Sequence, residues 1–385
     1  MTDRLSTLIN AEADRLDVPA PRAAEVLARG RRLRRRQGAG AAVAGLAVLA
    51  VIGSGFAYLH EQDDPRGVAM DPAAAREGSP ARGGGAVFTI GTTLYLEGGE
   101  TSAVIDDKAI KSLYYTSAGV LVRHGNTSYS SGGGPQRFSL VSPGGTVKPL
   151  DLVTEGIVHA TDPSQPYVVY VQRVDGVATL HVRDVTSDRV VASVDLPDAD
   201  DDYSSPALDG DTVYVRNGRS VFVVDWRSGA VTTSDNLTSE IVADGHAVGG
   251  YGESPTVIEV ATGDVVLEAD LGPESYGYFR LSPDGSSALV AVEYLGGDGE
   301  DEGPTRVYDI ATGAAITVPG STYSLGWTLD GNPFKVSPEG VLTTCAALTG
   351  ECVEEPLDLE VVPDSNYRTK SIEDDLILGG MTRES

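Results

Sequence analysis

Histidines, clustered carboxylates, cysteines and tyrosines are the residues of this chain that could do chemistry. The five histidines (His60, His124, His159, His181, His246) are scattered. None shows the His-x-x-x-His or His-Glu-x-x-His spacing that sets two imidazoles over one metal. A Gly-x-Ser-x-Gly nucleophile elbow and a phosphate-cradling glycine loop are also missing, so neither acyl transfer nor nucleotide chemistry is indicated. The carboxylates gather in two places, Asp198-Ala199-Asp200-Asp201-Asp202 and Asp298-Gly299-Glu300-Asp301-Glu302. Carboxylates at alternate positions can chelate Ca²⁺, which makes Asp198, Asp200, Asp202, Asp298 and Glu300 weak metal candidates. Neither stretch matches an EF-hand loop, and a solvated acidic loop is the plainer reading. No other cofactor is indicated. Tyr276, Tyr278 and Tyr294, or Tyr114 and Tyr115, could line a ligand surface or fill space between strands.

The elements that would carry these residues follow from a recurrent turn. Asp225-Trp226-Arg227-Ser228-Gly229, Glu259-Val260-Ala261-Thr262-Gly263 and Asp309-Ile310-Ala311-Thr312-Gly313 share an acid, a hydroxyl and a final glycine. Asp184-Val185-Thr186-Ser187-Asp188 keeps the pattern with Asp in the last place. Looser copies end at Gly99, Gly145 and Gly350. Glycine supplies the positive φ of a bulged hairpin, while the acid and hydroxyl accept from or donate to nearby backbone. From position 99 to position 350 there are seven such ends, about 42 residues apart on average, the length of a four-stranded propeller blade. The flanks, such as Tyr167–Val171, Thr212–Val215 and Ala288–Val292, are β-branched or aromatic, as strands require. An all-β, seven-bladed β-propeller is therefore expected over residues 86–362, with 363–385 as a C-terminal segment able to close it.

Leu281-Ser282-Pro283-Asp284-Gly285-Ser286-Ser287-Ala288-Leu289-Val290 resembles the SPDG turn of TolB-like and WD40-like propellers. The Asp-x-x-Thr-Gly turns resemble those of YVTN-type and quinoprotein-dehydrogenase-like propellers. The Trp-Asp dipeptide of true WD40 repeats is absent, and so is the Trp of a sialidase Asp box. With its anchor, the whole chain resembles membrane-anchored propeller proteins of high-GC Gram-positive bacteria.

Both cysteines fall in the last repeat. Aligning Thr349-Gly350 with Thr312-Gly313 makes Ala346 and Glu351 the closing pair, and places Cys345 opposite Cys352 on the next rung. Cross-strand neighbours lie within reach of a disulfide. Six residues between the thiols, with no histidine nearby, suit neither a redox CxxC nor a zinc site.

Ahead of the repeats, 22 residues from Gly38 to Leu59 carry no charge. As a helix they would rise about 33 Å, enough to cross a hydrocarbon core of about 30 Å. Six arginines lie between Arg29 and Arg36. This collar predicts a single-pass signal-anchor with a cytoplasmic N-terminus and an extracellular domain beyond it. A cleaved signal peptide has a shorter apolar core and a small-residue cleavage site, and Phe56-Ala57-Tyr58-Leu59 offers poor cleavage chemistry. Residues 1–37 would then be a cytoplasmic tail, 38–59 the transmembrane helix and 60–85 a flexible stalk rich in Ala, Gly and Pro. Of 29 basic and 56 acidic residues, nine and five precede the span; the 326 residues beyond it hold 20 bases against 51 acids. So acidic a surface repels nucleic acid.

The functional expectation is a platform binding protein, peptide or glycan through propeller loops. A propeller enzyme, lyase- or oxidoreductase-like, with carboxylates or histidines at the channel mouth is the second reading. Signalling through the cytoplasmic tail is the third; with neither Cys nor His, that tail cannot be a zinc-type anti-sigma domain.

Overall fold

Short β-branched and aromatic runs pair into seven four-stranded antiparallel sheets. The computed structural model describes residues 85–128, 134–197, 205–218, 220–234, 236–272, 275–294, 304–359 and 376–380. The arginine-rich leader, the apolar run Gly38–Leu59 and the stalk to residue 84 lie outside them. Among the described residues no helix is long and apolar enough to cross a membrane.

Six sheets are consecutive in the chain, each with its first strand innermost. Blade 2 runs from Ala109–Thr116 to Val147–Thr154, blade 3 from His159–Thr161 to Arg189–Leu196 and blade 4 from Pro206–Asp209 to Ala230–Ser234. Blade 5 spans Val242–Ala243 to Val265–Glu268, blade 6 Ser275–Leu281 to Ala315–Val318 and blade 7 Gly326–Trp327 to Cys352–Pro356. Blade 1 is composite. Phe88–Ile90, Thr93–Leu96 and Thr101–Val104 supply three strands, and Leu376–Leu378 from the far end of the chain supplies the innermost. Phe88 opposes Leu378 and Ile90 opposes Leu376. The ring is thus closed by hydrogen bonds between the two ends of the domain, which leaves no unpaired break around its circumference. Gly379 completes the latch: its N–H donates to Val87 O at 2.7 Å and its carbonyl accepts from Trp327 N at 3.0 Å. A Cβ there would sit 2.7 Å from both Tyr115 Oη and Val87 O, so only glycine fits.

The core is divided as a propeller requires. Seven apolar clusters lie among the described residues, one between each pair of neighbouring blades, including blades 7 and 1. Period-two alternation deals each strand's side chains to two interfaces. Val213 and Val215 of blade 4 face blade 3, whereas Tyr214 between them faces blade 5.

Each of the seven turns read from the sequence joins the third strand of a blade to its fourth. Their last residues, Gly99, Gly145, Asp188, Gly229, Gly263, Gly313 and Gly350, all have positive φ, between 58° and 101°. Gly229, Gly263 and Gly313 each donate to the carbonyl of the leading acid at 2.8 Å. Asp225 Oδ1 accepts from Arg227 N and Ser228 N, Asp309 Oδ1 from the amide and hydroxyl of Thr312, and Asp184 Oδ1 likewise from Thr186. Glu259 Oε2 takes the Thr262 hydroxyl instead, at 3.3 Å. Asp188 departs from glycine for a reason. Its carboxylate accepts from Arg183 Nε and Nη2, and from Asp151 N of blade 2 at 2.6 Å, clamping two blades together.

A second turn repeat joins first strands to second ones, and it carries an Asp-Gly pair in four blades: Asp209-Gly210, Asp244-Gly245, Asp284-Gly285 and Asp330-Gly331. These turns interlock around the ring. Gly210 N donates to Asp162 Oδ2 of blade 3 and Gly245 N to Asp209 Oδ2 of blade 4, both at 2.8 Å. The SPDG turn is one member of that ring.

Candidate functional site

Several of the predicted candidates that fall among the described residues prove to be architecture. The Ca²⁺ candidates Asp198, Asp200, Asp202, Asp298 and Glu300 lie outside the described residues, as do His60 and the Tyr294 side chain. Among the described residues no group of three metal-ligating side chains converges. Cys345 and Cys352 are disulfide-bonded across directly opposed positions, next to the Ala346–Glu351 closing pair. Tyr114 and Tyr115 are buried between blades, and Tyr115 Oη donates to Trp327 O at 2.8 Å.

The closest approach to a catalytic constellation is one that sequence spacing conceals. In blade 2, His124 Nδ1 lies 2.5 Å from Asp107 Oδ2, and its Nε2 lies 3.0 Å from Ser139 Oγ. Carboxylate, imidazole and hydroxyl in that order form the hydrogen-bond chain of a nucleophilic triad. Two features remove it from catalysis. Ser139 is only 3 % exposed, so no acyl carbon can reach its Oγ without opening the blade. Asp107 is also already engaged: Arg137 donates Nε and Nη2 to its two oxygens at 2.8 and 2.7 Å. Burial would raise the Asp107 pKa, but the Arg137 and His124 contacts outweigh it and hold it at about 2. The network ties the connector between blades 1 and 2 to the body of blade 2. The other described histidines are similarly placed. His159 and His181 flank Tyr170 in one cross-strand row of blade 3, with ring centroids 5.8 and 5.2 Å away, and Phe138 of blade 2 caps the row. His246 lies in the second strand of blade 5.

A groove of about 530 Å³ lies at the rim between the outer strand of blade 7 and the Gly98–Glu100 turn of blade 1. Glu100, Glu354, Glu355 and Asp358 line it, with no imidazole, serine or cysteine among its lining residues.

The remaining arrangement is a wall on the inner strand of blade 6, Ser275–Leu281. Residues 275, 277, 279 and 281 are buried, and Phe279 and Leu281 pack toward blade 5. Tyr276, Tyr278 and Arg280 on the opposite flank stay partly exposed. Tyr251, on the loop of blade 5, stacks on Tyr276 with ring centroids 5.9 Å apart and planes inclined by 16°. That loop is pinned because Gly252 and Gly277 exchange backbone hydrogen bonds at 3.1 and 2.9 Å. From the connector into blade 7, Thr322 O accepts from Arg280 Nη1 at 2.9 Å, and neighbouring Tyr323 is 58 % exposed. Burial pushes the Arg280 pKa down, with Tyr278 and Tyr323 acting the other way. Three segments far apart in sequence thus bring four tyrosines and one guanidinium to one place. The sequence named Tyr276 and Tyr278; Tyr251, Tyr323 and Arg280 had no local signal.

No protein-family model and no curated protein matches this chain. Two solved structures similar to it are "Kluyveromyces lactis Hsv2" and "Structure of Kluyveromyces lactis Hsv2p". They align at TM-scores of 0.41 and 0.38 with 15 % and 14 % identity, over 62 % of this chain in both cases and 74 % and 75 % of theirs.

Proposed function

We propose that this protein is a membrane-anchored, extracytoplasmic β-propeller whose task is binding, with the tyrosine-lined wall of blade 6 as its recognition surface. The anchor is read from the uncharged run Gly38–Leu59 behind its arginine collar, and the disulfide suits an oxidising compartment. The observation carrying the binding role is the group of partly exposed tyrosines around one guanidinium. Tyrosine and arginine give large contact area, hydrogen bonds and low entropic cost, which is why they dominate binding hot spots. Rigid mounting on an inner strand preorganises them.

A photocrosslinking residue at position 323, in full-length protein displayed on cells, tests this. Adducts should form there and not from position 348, an equally exposed site on the turn between the third and outer strands of blade 7. Equal labelling from both positions, or none from 323, would remove the assignment.

A further inference from the structure

Blade 7 opens with only Gly326–Trp327 as its inner strand, after the single 3₁₀ turn Thr322–Ser324. On the flank of blade 6, Tyr276, Tyr278 and Arg280 are partly exposed. Alternate residues of a strand lie about 6.8 Å apart, so these three side chains mark out roughly 13 Å, the length of a short oligomer.

Arg280 carries five N–H donors, of which Nη1 is used on Thr322 O. Among the described residues no carboxylate pairs with it, in a chain holding 56 acidic residues. A guanidinium beside partly exposed phenols selects a ligand with an anionic group next to flat, hydroxylated faces. An extended peptide would instead seek a strand edge for backbone pairing. Here the free edge of blade 6 at Gly277 is already taken by Gly252.

We propose that this wall binds a carboxylated oligosaccharide, the Arg280 guanidinium forking onto a carboxylate while Tyr278 and the Tyr276–Tyr251 pair stack on successive sugar rings. The proposal rests on the reading of this wall as the recognition surface and adds the ligand class. Bidentate guanidinium–carboxylate contacts are the strong form of charged hydrogen bond.

Full-length protein titrated calorimetrically with trigalacturonate, with its carboxyl-reduced neutral counterpart and with the tripeptide Gly-Gly-Tyr tests it. Trigalacturonate should bind roughly ten- to a hundredfold tighter than the neutral sugar. Arg280→Gln should bring it down to the neutral level, Arg280→Lys, which keeps the charge without the fork, should bring it most of the way, and Tyr276→Ala should weaken both sugars alike. Arg280→Lys keeps a long cationic side chain at the position, so it keeps the test sound should Arg280→Gln fail to fold. Equal binding of the two sugars, or insensitivity to both Arg280 variants, would overturn the carboxylate. Tighter binding of the peptide, or no binding of either sugar, would overturn the glycan class. Crosslinking from position 323 that persists in either case keeps the wall as a binding surface and confines the failure to the ligand.

Discussion

Replacing Asp107 by Asn keeps the shape of the blade 2 network and removes its charge. The Asp107 side chain is 5 % exposed and lies between Arg137, His124 and the Lys108 amide. Its pKa is held at about 2 against an ordinary 3.8. At about 1.4 kcal/mol per pH unit, this depression corresponds to roughly 2 kcal/mol of folding stability. The folded-state pKa is the depressed one, so this contribution is complete above about pH 5 and is lost progressively as pH falls through about 2. At pH 7 Asp107→Asn should therefore unfold about 2 kcal/mol more easily, lowering the melting temperature by about 3 °C for a domain of this size. Urea titrations followed by Trp226 and Trp327 fluorescence at pH 7, 5, 3.5 and 2.5 measure the difference directly. It should be constant from pH 7 to 5 and shrink at 3.5 and 2.5. A difference that stays the same down to pH 2.5 would refute the reasoning, because the loss would then come from packing of the amide and not from the carboxylate charge.

The two glycines Gly285 and Gly229 have similar φ, 63° and 74°, but different surroundings. A Cβ at Gly285 would lie 2.4 Å from Ala243 O, whereas Gly229 has nothing within 4 Å. Gly229→Ala should cost about 1 kcal/mol for the left-handed backbone alone, and Gly285→Ala clearly more, measured by thermal melts. Changing both Cys345 and Cys352 to Ser should lower stability by about 2 kcal/mol, as expected for so short a closed loop, without altering the circular dichroism of the folded protein. Ending the chain at Asp375 removes the inner strand of blade 1 and both Gly379 hydrogen bonds. The shortened protein should lose its cooperative melt and elute as aggregate in size-exclusion chromatography. Ser139→Ala should leave every ligand-binding measurement unchanged, since its hydroxyl lies inside blade 2.

Local chemistry made most of the fold legible. A turn that demands positive φ at its last residue restricts that place to Gly, or to Asp held by specific partners, so the period survives in sequence as a visible mark. The Cys345–Cys352 pairing was legible for the same reason: once the turn is aligned, hairpin register follows. By contrast, the triad-like order of Asp107, His124 and Ser139 depends on where a connector crosses two strands, which no spacing encodes. Of the Asp-Gly inner turns only the SPDG turn at Asp284-Gly285 was read from sequence, and the interlocking of these turns across blades was not legible.

Residue types and their spacing by themselves determined strands, turns, blade repeat and disulfide, because each rests on backbone torsion and on period-two alternation over a few residues. Only the tertiary structure decided which tyrosines are buried and which reach solvent. Tyr114 and Tyr278 sit in similar strands, and their fates differ because Tyr114 packs into the apolar cluster between blades 2 and 3, whereas Tyr278 is left out of the cluster between blades 6 and 7. The Gly252–Gly277 bridge and the Arg280–Thr322 hydrogen bond assemble the Arg280 wall from segments about 70 residues apart, a distance over which neither torsion nor periodicity carries information.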